Sequence, residues 1–118
     1  MAVRKLNNYL RTFRKRGALS QDEIAYLLGC TDGGKISRYE NFRREPNLQT
    51  ALAYEVIFNV PVRELFAGLF EEVERKTLRR IGRLGGKLCA QPETRVVNAK
   101  LESLASALRG DSTLRKSS

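Results

Sequence analysis

Residues 20–46, SQDEIAYLLGCTDGGKISRYENFRREP, decide the fold of this 118-residue chain. Ser20 can accept a hydrogen bond from the backbone N–H of Glu23, and the Glu23 carboxylate can reach back to the Ser20 N–H. This capping box begins a helix just before an apolar run, and Gly29 suits the left-handed residue that ends it. Two short apolar-faced helices joined by a tight turn that contains glycine indicate a helix-turn-helix.

Short pieces within residues 4–68 resemble, in order and spacing, the Cro/lambda-repressor-like helix-turn-helix family, also called the Xre family. The pieces are Ser20-Gln21-x-Glu23-x-Ala25, Leu28-Gly29, Ile36-Ser37-Arg38-x-Glu40, Pro46, Leu48 and Asn59-Val60-Pro61-Val62-Arg63-Glu64-Leu65-Phe66. The resemblance implies an all-α fold in which a five-helix domain binds DNA. The chain departs from the family in two places. The stretch from Leu28-Gly29 to Ile36 is one residue longer, and Gly33-Gly34 replaces polar side chains.

The second helix of the motif is predicted over residues 33–42, with Thr31 or Asp32 as its cap. Helical spacing divides its residues between a side that faces the protein and a side that faces away. The inward positions are Ile36, Tyr39 and Glu40; the outward positions are Gly34, Ser37, Arg38 and Asn41, with Lys35 on the flank.

The resemblance implies that the N-terminal part of this helix enters the major groove of DNA. Arg38 is the first candidate for reading a base, because its planar fork matches O6 and N7 of guanine. Lys35 and Ser37 are the next candidates. The predicted phosphate contacts lie at the start of the first motif helix, on the second, and in the loop that follows: Gln21, Gly34, Asn41, Arg43 and Arg44.

A helix is also predicted over residues 4–16, where Leu6, Tyr9, Leu10 and Phe13 share one face and six basic residues cover the rest. The resemblance implies that Arg14 on this helix pairs with Glu40. We expect that structural ion pair to be partly buried, so that loss of either partner alone is costly.

Charge and composition limit the kinds of partner and activity that we expect for this chain. The chain has 22 Lys and Arg against 13 Asp and Glu, a net charge of +9. This favours a polyanionic partner such as nucleic acid, although a merely soluble basic surface would show the same balance. Histidine is absent, and the two cysteines have no metal-ligand spacing. We therefore expect no enzyme activity, no metal, no cofactor and no membrane segment, and a cytoplasmic protein with free thiols.

The rest of the chain predicts further helices. Asn47 can cap a fourth helix with Leu48, Leu52 and Val56 or Phe58 inward. Glu55 on this helix either pairs with a basic residue of helix 1 (residues 4–16) or turns outward. Pro61 suits the start of a fifth helix. Another helix is expected to end at Gly85-Gly86. The final apolar seam, Val97, Leu101, Leu104 and Leu108, either dimerises or folds back onto residues 69–88.

These patterns divide the chain into residues 1–68, a DNA-binding domain; residues 69–109, a helical extension and possible dimerisation element; and residues 110–118, a flexible tail. The function that the resemblance implies is a transcription regulator, a repressor more than an activator, which binds an operator as a homodimer. The alternatives are an antitoxin-like or other protein-interaction module with secondary DNA binding, and non-specific binding of nucleic acid.

Overall fold

A computed structural model describes residues 5–110 of the chain. This part consists of helices and connecting segments without a strand, which confirms the all-α prediction. The helices are α1 (Leu10–Arg16), α2 (Gln21–Leu28), α3 (Gly34–Glu40), α4 (Leu48–Phe58), α5 (Val62–Leu65), α6 (Ala67–Cys89) and α7 (Arg95–Arg109). The predicted tail lies outside the described residues except for Gly110, which ends α7 with a φ of 76°.

The chain divides into two compact units, residues 1–71 and 72–118, and the division falls within α6. The core of the first unit is built from α1 to α5 and the start of α6. Its buried residues are Leu10, Ile24, Ala25, Ile36, Tyr39, Ala51, Tyr54, Leu65 and Phe66. Within the part of the chain that the structure describes, no helix is long and apolar enough to cross a bilayer.

The predicted first helix is wrong in its N-terminal half, because residues 5–9 are not helical. Their backbone groups pair instead with the far end of the unit. The N–H of Tyr9 donates to the carbonyl of Leu65 at 2.7 Å, and the N–H of Gly68 donates to the carbonyl of Leu6 at 2.9 Å. These bonds hold the segment out of the helix, and Leu6 is 47% exposed and lies outside the core.

The predicted inward face of α4 is wrong except at Phe58, which was the alternative to Val56. Leu48, Leu52 and Val56 are 73%, 49% and 81% exposed, whereas Ala51 and Tyr54 are buried and Phe58 packs against the core. The Tyr54 ring stacks on Phe58 with centroids 5.7 Å apart. This helix is apolar nearly all round, so its sequence does not show which face is buried. The large aromatic side chain, which removes the most apolar area from water, takes the inward position.

The structure decides between the two alternatives for Glu55. Its side chain is exposed and turned outward, where it accepts a hydrogen bond from the backbone N–H of Val62 at 2.9 Å. That N–H lies in the first turn of α5 and has no partner within the helix. Glu55 therefore caps α5 across the Asn59–Pro61 connection.

One prediction about glycines is wrong. Gly85-Gly86 do not end a helix, since α6 continues to Cys89. Gly68, expected near the end of the domain, lies in the first turn of α6, three residues before the first unit ends. A Cβ there would collide with the carbonyl oxygen of Leu6, so Gly68 permits a close backbone approach.

In the second unit, α7 packs on the C-terminal part of α6. Leu88 and Val97 are buried, and the Cδ1 atom of Leu104 lies 4.0 Å from where a Cβ of Gly85 would be. Thr94 caps α7 by accepting the N–H of Val97 at 3.1 Å. The apolar seam of residues 97–104 thus folds back onto its own chain, which was one of the two alternatives.

Candidate functional site

The candidate site is built on α2, α3 and the segments on either side of α3. The capping box that begins α2 is present. The N–H of Glu23 donates to Ser20 Oγ at 3.0 Å, and the N–H of Ser20 donates to Glu23 Oε1 at 2.8 Å. The bond from the Ser20 N–H lowers the pKa of Glu23, because it stabilises the carboxylate form. These local bonds set where α2 begins.

The turn after α2 begins with Gly29, at a φ of 78°. This left-handed conformation costs glycine little because it has no Cβ. The N–H of Cys30 then donates to the carbonyl of Ala25 at 2.8 Å, which satisfies a carbonyl at the end of the helix. The chain is thereby directed away from the axis of α2.

Two carboxylates accept the first N–H groups at the start of α3, and the one on α2, that of Asp22, holds α3 against the start of α2. Asp22 Oδ1 accepts the N–H of Gly33 at 2.9 Å, and Asp32 Oδ1 accepts the N–H of Gly34 at 2.8 Å. A Cβ on Gly33 would lie 2.7 Å from Asp22 Oδ1 and 3.2 Å from the backbone carbon of Gln21. Gly33 is buried there, so its lack of a side chain sets the distance between the two helices.

The residues of α3 divide into two sides as predicted. Ile36, Tyr39 and Glu40 are buried. The opposite side carries Arg38, which is exposed, and Ser37, which is half-buried, with Lys35 half-buried on the flank. The predicted base-reading residues therefore lie together on the accessible side of one short helix.

A network of charged and polar side chains fixes α3 to α1 and α2. Arg14 and Glu40 form the predicted ion pair: Arg14 Nε and Nη2 donate to the two carboxylate oxygens at 2.6 and 3.1 Å. The Arg14 side chain is 13% exposed and that of Glu40 is 2% exposed. The hydrogen bond to Glu40 raises the pKa of Arg14 above its ordinary value. The pair joins the end of α3 to α1.

Gln21 belongs to the same network. Its Nε2 donates to Glu40 Oε1 at 3.1 Å, and its side chain is half-buried. The predicted phosphate contact through this amide would compete with the bond to Glu40. The side chain of Gln21 thus has a structural partner that sequence reasoning did not identify.

The predicted phosphate contacts on α3 and its loop have different surroundings. The N–H of Gly34 is occupied by the carboxylate of Asp32, which disfavours an anion at that donor. Asn41 is exposed and donates to Ser37 Oγ at 3.3 Å. Arg43 and Arg44 are exposed in the loop that follows, where the left-handed Phe42, at a φ of 63°, turns the chain.

Sequence reasoning missed Asn8, which is 6% exposed. Its Nδ2 donates to the carbonyl of Tyr39 at 2.9 Å, and its Oδ1 accepts the N–H of Leu10 at 3.1 Å. Asn8 therefore starts α1 and holds the end of α3 with the same side chain. Its only signal in the sequence was the preference of asparagine for helix starts.

The site offers hydrogen-bond donors and positive charge on one accessible side, with the carboxylates of Asp22, Asp32 and Glu40 turned to partners inside the protein. Among residues 5–110, no group of three His, Cys, Asp or Glu side chains is arranged to hold a metal ion. The chain matches no protein-family model, no curated protein and no solved structure.

Proposed function

We propose that residues 1–68 form a five-helix domain of the Cro/lambda-repressor-like type, which binds DNA sequence-specifically and regulates transcription. The observation that carries the proposal is the accessible side of α3, where Lys35, Ser37 and Arg38 lie together. A helix in the major groove needs its opposite face braced so that two or three side chains meet base edges reproducibly. The Arg14–Glu40 pair supplies that brace.

Arg38 and the arginines of the following loop have separate roles in this proposal. Arg38 projects from the middle of α3, where a fork of N–H donors can meet both acceptors of a guanine. Arg43 and Arg44 are exposed beyond the end of the helix, where they contact phosphates and position the domain without reading sequence.

The proposed protein acts as a homodimer on an inverted repeat and represses the adjacent gene. Two copies would place their α3 helices about 34 Å apart, one turn of the duplex. The proposed dimer contact lies within residues 69–109. There Val73, Leu84, Val96 and Leu108 expose about half or more of their surface, in addition to the seam that α7 uses internally.

Selection from a random duplex library tests the proposal directly, because it reports a preferred site and its symmetry together. With that site, Arg38→Ala is expected to weaken binding by about 1–3 kcal/mol and to relax the preference at one base pair. Arg43→Ala is the matched control, since it removes the same charge and is expected to weaken selected and random duplexes alike. Equal loss on both duplexes from both variants would contradict the assignment of roles.

A further inference from the structure

The positive charge of the chain is concentrated outside the unit that contains α2 and α3. Residues 72–118 hold 11 of the 22 basic residues but 5 of the 13 acidic ones, which leaves six of the nine net positive charges after Glu71. The second unit is also the smaller of the two. Its charge density is therefore well above that of the first unit.

Most of this charge lies on one face of α6. No acidic residue occurs between Arg75 and Lys87. At 3.6 residues per turn and 1.5 Å per residue, the basic residues of this stretch fall within an arc of about 140° and a length of about 18 Å. We name them the α6 basic stripe: Arg75, Lys76, Arg79, Arg80, Arg83 and Lys87, all of which are exposed.

The opposite face of α6 is apolar and partly covered. Leu88 is buried, and Leu78 and Ile81 are half-buried. The Cδ1 atom of Leu104 on α7 lies 4.0 Å from where a Cβ of Gly85 would be. The packing of α7 thus holds the α6 basic stripe toward solvent.

Pairing within the protein neutralises little of the stripe. Lys76 Nζ lies 2.9 Å from Glu72 Oε1, a pair one turn apart at the N-terminal end. Among residues 5–110, no carboxylate lies within ion-pair distance of Arg79, Arg80 or Arg83. Three guanidinium groups within about two turns of the helix therefore keep their donors for an external acceptor.

We propose that the α6 basic stripe is a second DNA-binding surface, which contacts the phosphodiester backbone of a duplex. This proposal rests on the proposed function in one respect, which is that both have duplex DNA as the ligand. A duplex carries one negative charge per about 1.7 Å of its axis, so an 18 Å stripe faces about ten of them. A lipid surface fits less well, because a helix that lies on a membrane inserts its apolar face, and α7 covers part of that face here, at Gly85.

The test is the salt dependence of duplex binding by the full chain. The slope of log K against log salt is negative, and each lost phosphate contact makes it less steep by about 0.9. Arg79→Gln/Arg83→Gln is expected to reduce it by about 1.8, so the variant loses about 10-fold less affinity than the parent between 50 and 200 mM salt. Glutamine suits a helix, and circular dichroism checks that α6 is intact.

The matched control is Arg95→Gln/Lys100→Gln on α7, which removes the same two charges from exposed positions of the same unit. The control is expected to change the slope by less than half of the change caused by Arg79→Gln/Arg83→Gln. Equal slopes for the two double variants would overturn the inference. So would tight binding of the parent to vesicles of anionic lipid that the stripe variant abolishes while its duplex slope stays unchanged.

The inference and the proposed function fail in different measurements. If random-duplex selection finds no preferred site but the stripe variant still lowers the slope on random duplex, the proposed function is wrong and the stripe stands. If Arg38→Ala relaxes sequence preference while the stripe variant keeps the parent slope, the proposed function stands and the stripe is wrong.

Discussion

Removal of the Glu40 carboxylate is expected to destabilise the first unit more than any other single charge deletion there. Glu40 accepts two hydrogen bonds from Arg14 and one from Gln21 at 3.1 Å. In Glu40→Ala, the Arg14 guanidinium stays buried with the carbonyl of Leu19, at 3.0 Å, as its remaining acceptor. The free energy of unfolding of the variant is therefore lowered by the burial of an uncompensated charge, in addition to the loss of three hydrogen bonds.

The size of the effect follows from this geometry. Breaking a buried pair on one side costs about 3–5 kcal/mol. Small domains have about 5–15 kcal/mol of stability in total, so much of the margin is lost. With a urea dependence of about 1–1.5 kcal/mol per molar, typical of a small unit, the unfolding midpoint is expected to fall by about 2–5 M.

Urea denaturation followed by circular dichroism measures this shift, and a double-mutant cycle identifies its source. Arg14→Ala/Glu40→Ala leaves no unpaired charge, so it is expected to cost at least 1 kcal/mol less than the two single changes together. Glu45→Ala is the matched control, because Glu45 is exposed and its removal is expected to change stability by about 0.5 kcal/mol or less. An additive cycle, or a Glu40→Ala midpoint equal to that of the control, would refute the reasoning.

Three other predictions concern helix ends and glycines. Ser20→Ala removes the cap of α2 and is expected to cost about 1 kcal/mol in thermal denaturation; an unchanged melting temperature would mean that the capping box contributes nothing. The folded state lowers the pKa of Glu23, so its stabilising effect is present above the ordinary pKa and lost as pH falls through the folded one. The stability difference between the parent and Glu23→Gln should therefore vanish in acid, and a constant difference would contradict this. Gly33→Ala, whose Cβ would lie 2.7 Å from Asp22 Oδ1, is expected to destabilise by about 1–3 kcal/mol in urea, whereas Gly86→Ala, with nothing within 4 Å, should stabilise by about 0.5–1 kcal/mol. Equal effects of these two glycine changes would show that close packing at Gly33 does not matter.

The motif helices could be predicted because short-range bonds determine their limits. The Ser20 cap and the turn at Gly29 involve residues at most five apart, and each appears in the structure. The inward side of α3 follows from helical spacing once Ile36 is taken as buried. The partner of Arg14 lies 26 residues away, and only the resemblance suggested it.

The candidate site was predicted less completely than the helices that carry it. Lys35, Ser37 and Arg38 lie on the accessible side of α3, as expected, but Gln21 and Gly34 each have a partner within the protein. A side-chain amide or a backbone N–H shows no preference in the sequence for an external phosphate over an internal carboxylate. The geometry of the packed helices decides which acceptor is within reach.

The sequence by itself determined the helical character of the chain, the limits of α2 and the concentration of basic residues along α6, since all of these depend on neighbours within one or two turns. Only the tertiary structure decided that residues 5–9 are not helical, that Tyr54 selects the buried face of α4, and that residues 97–104 of α7 fold back on α6. Each of these outcomes is a competition between alternative partners far apart in the chain. Local periodicity does not distinguish between these alternative partners. The burial of one particular set of side chains determines which of them is used.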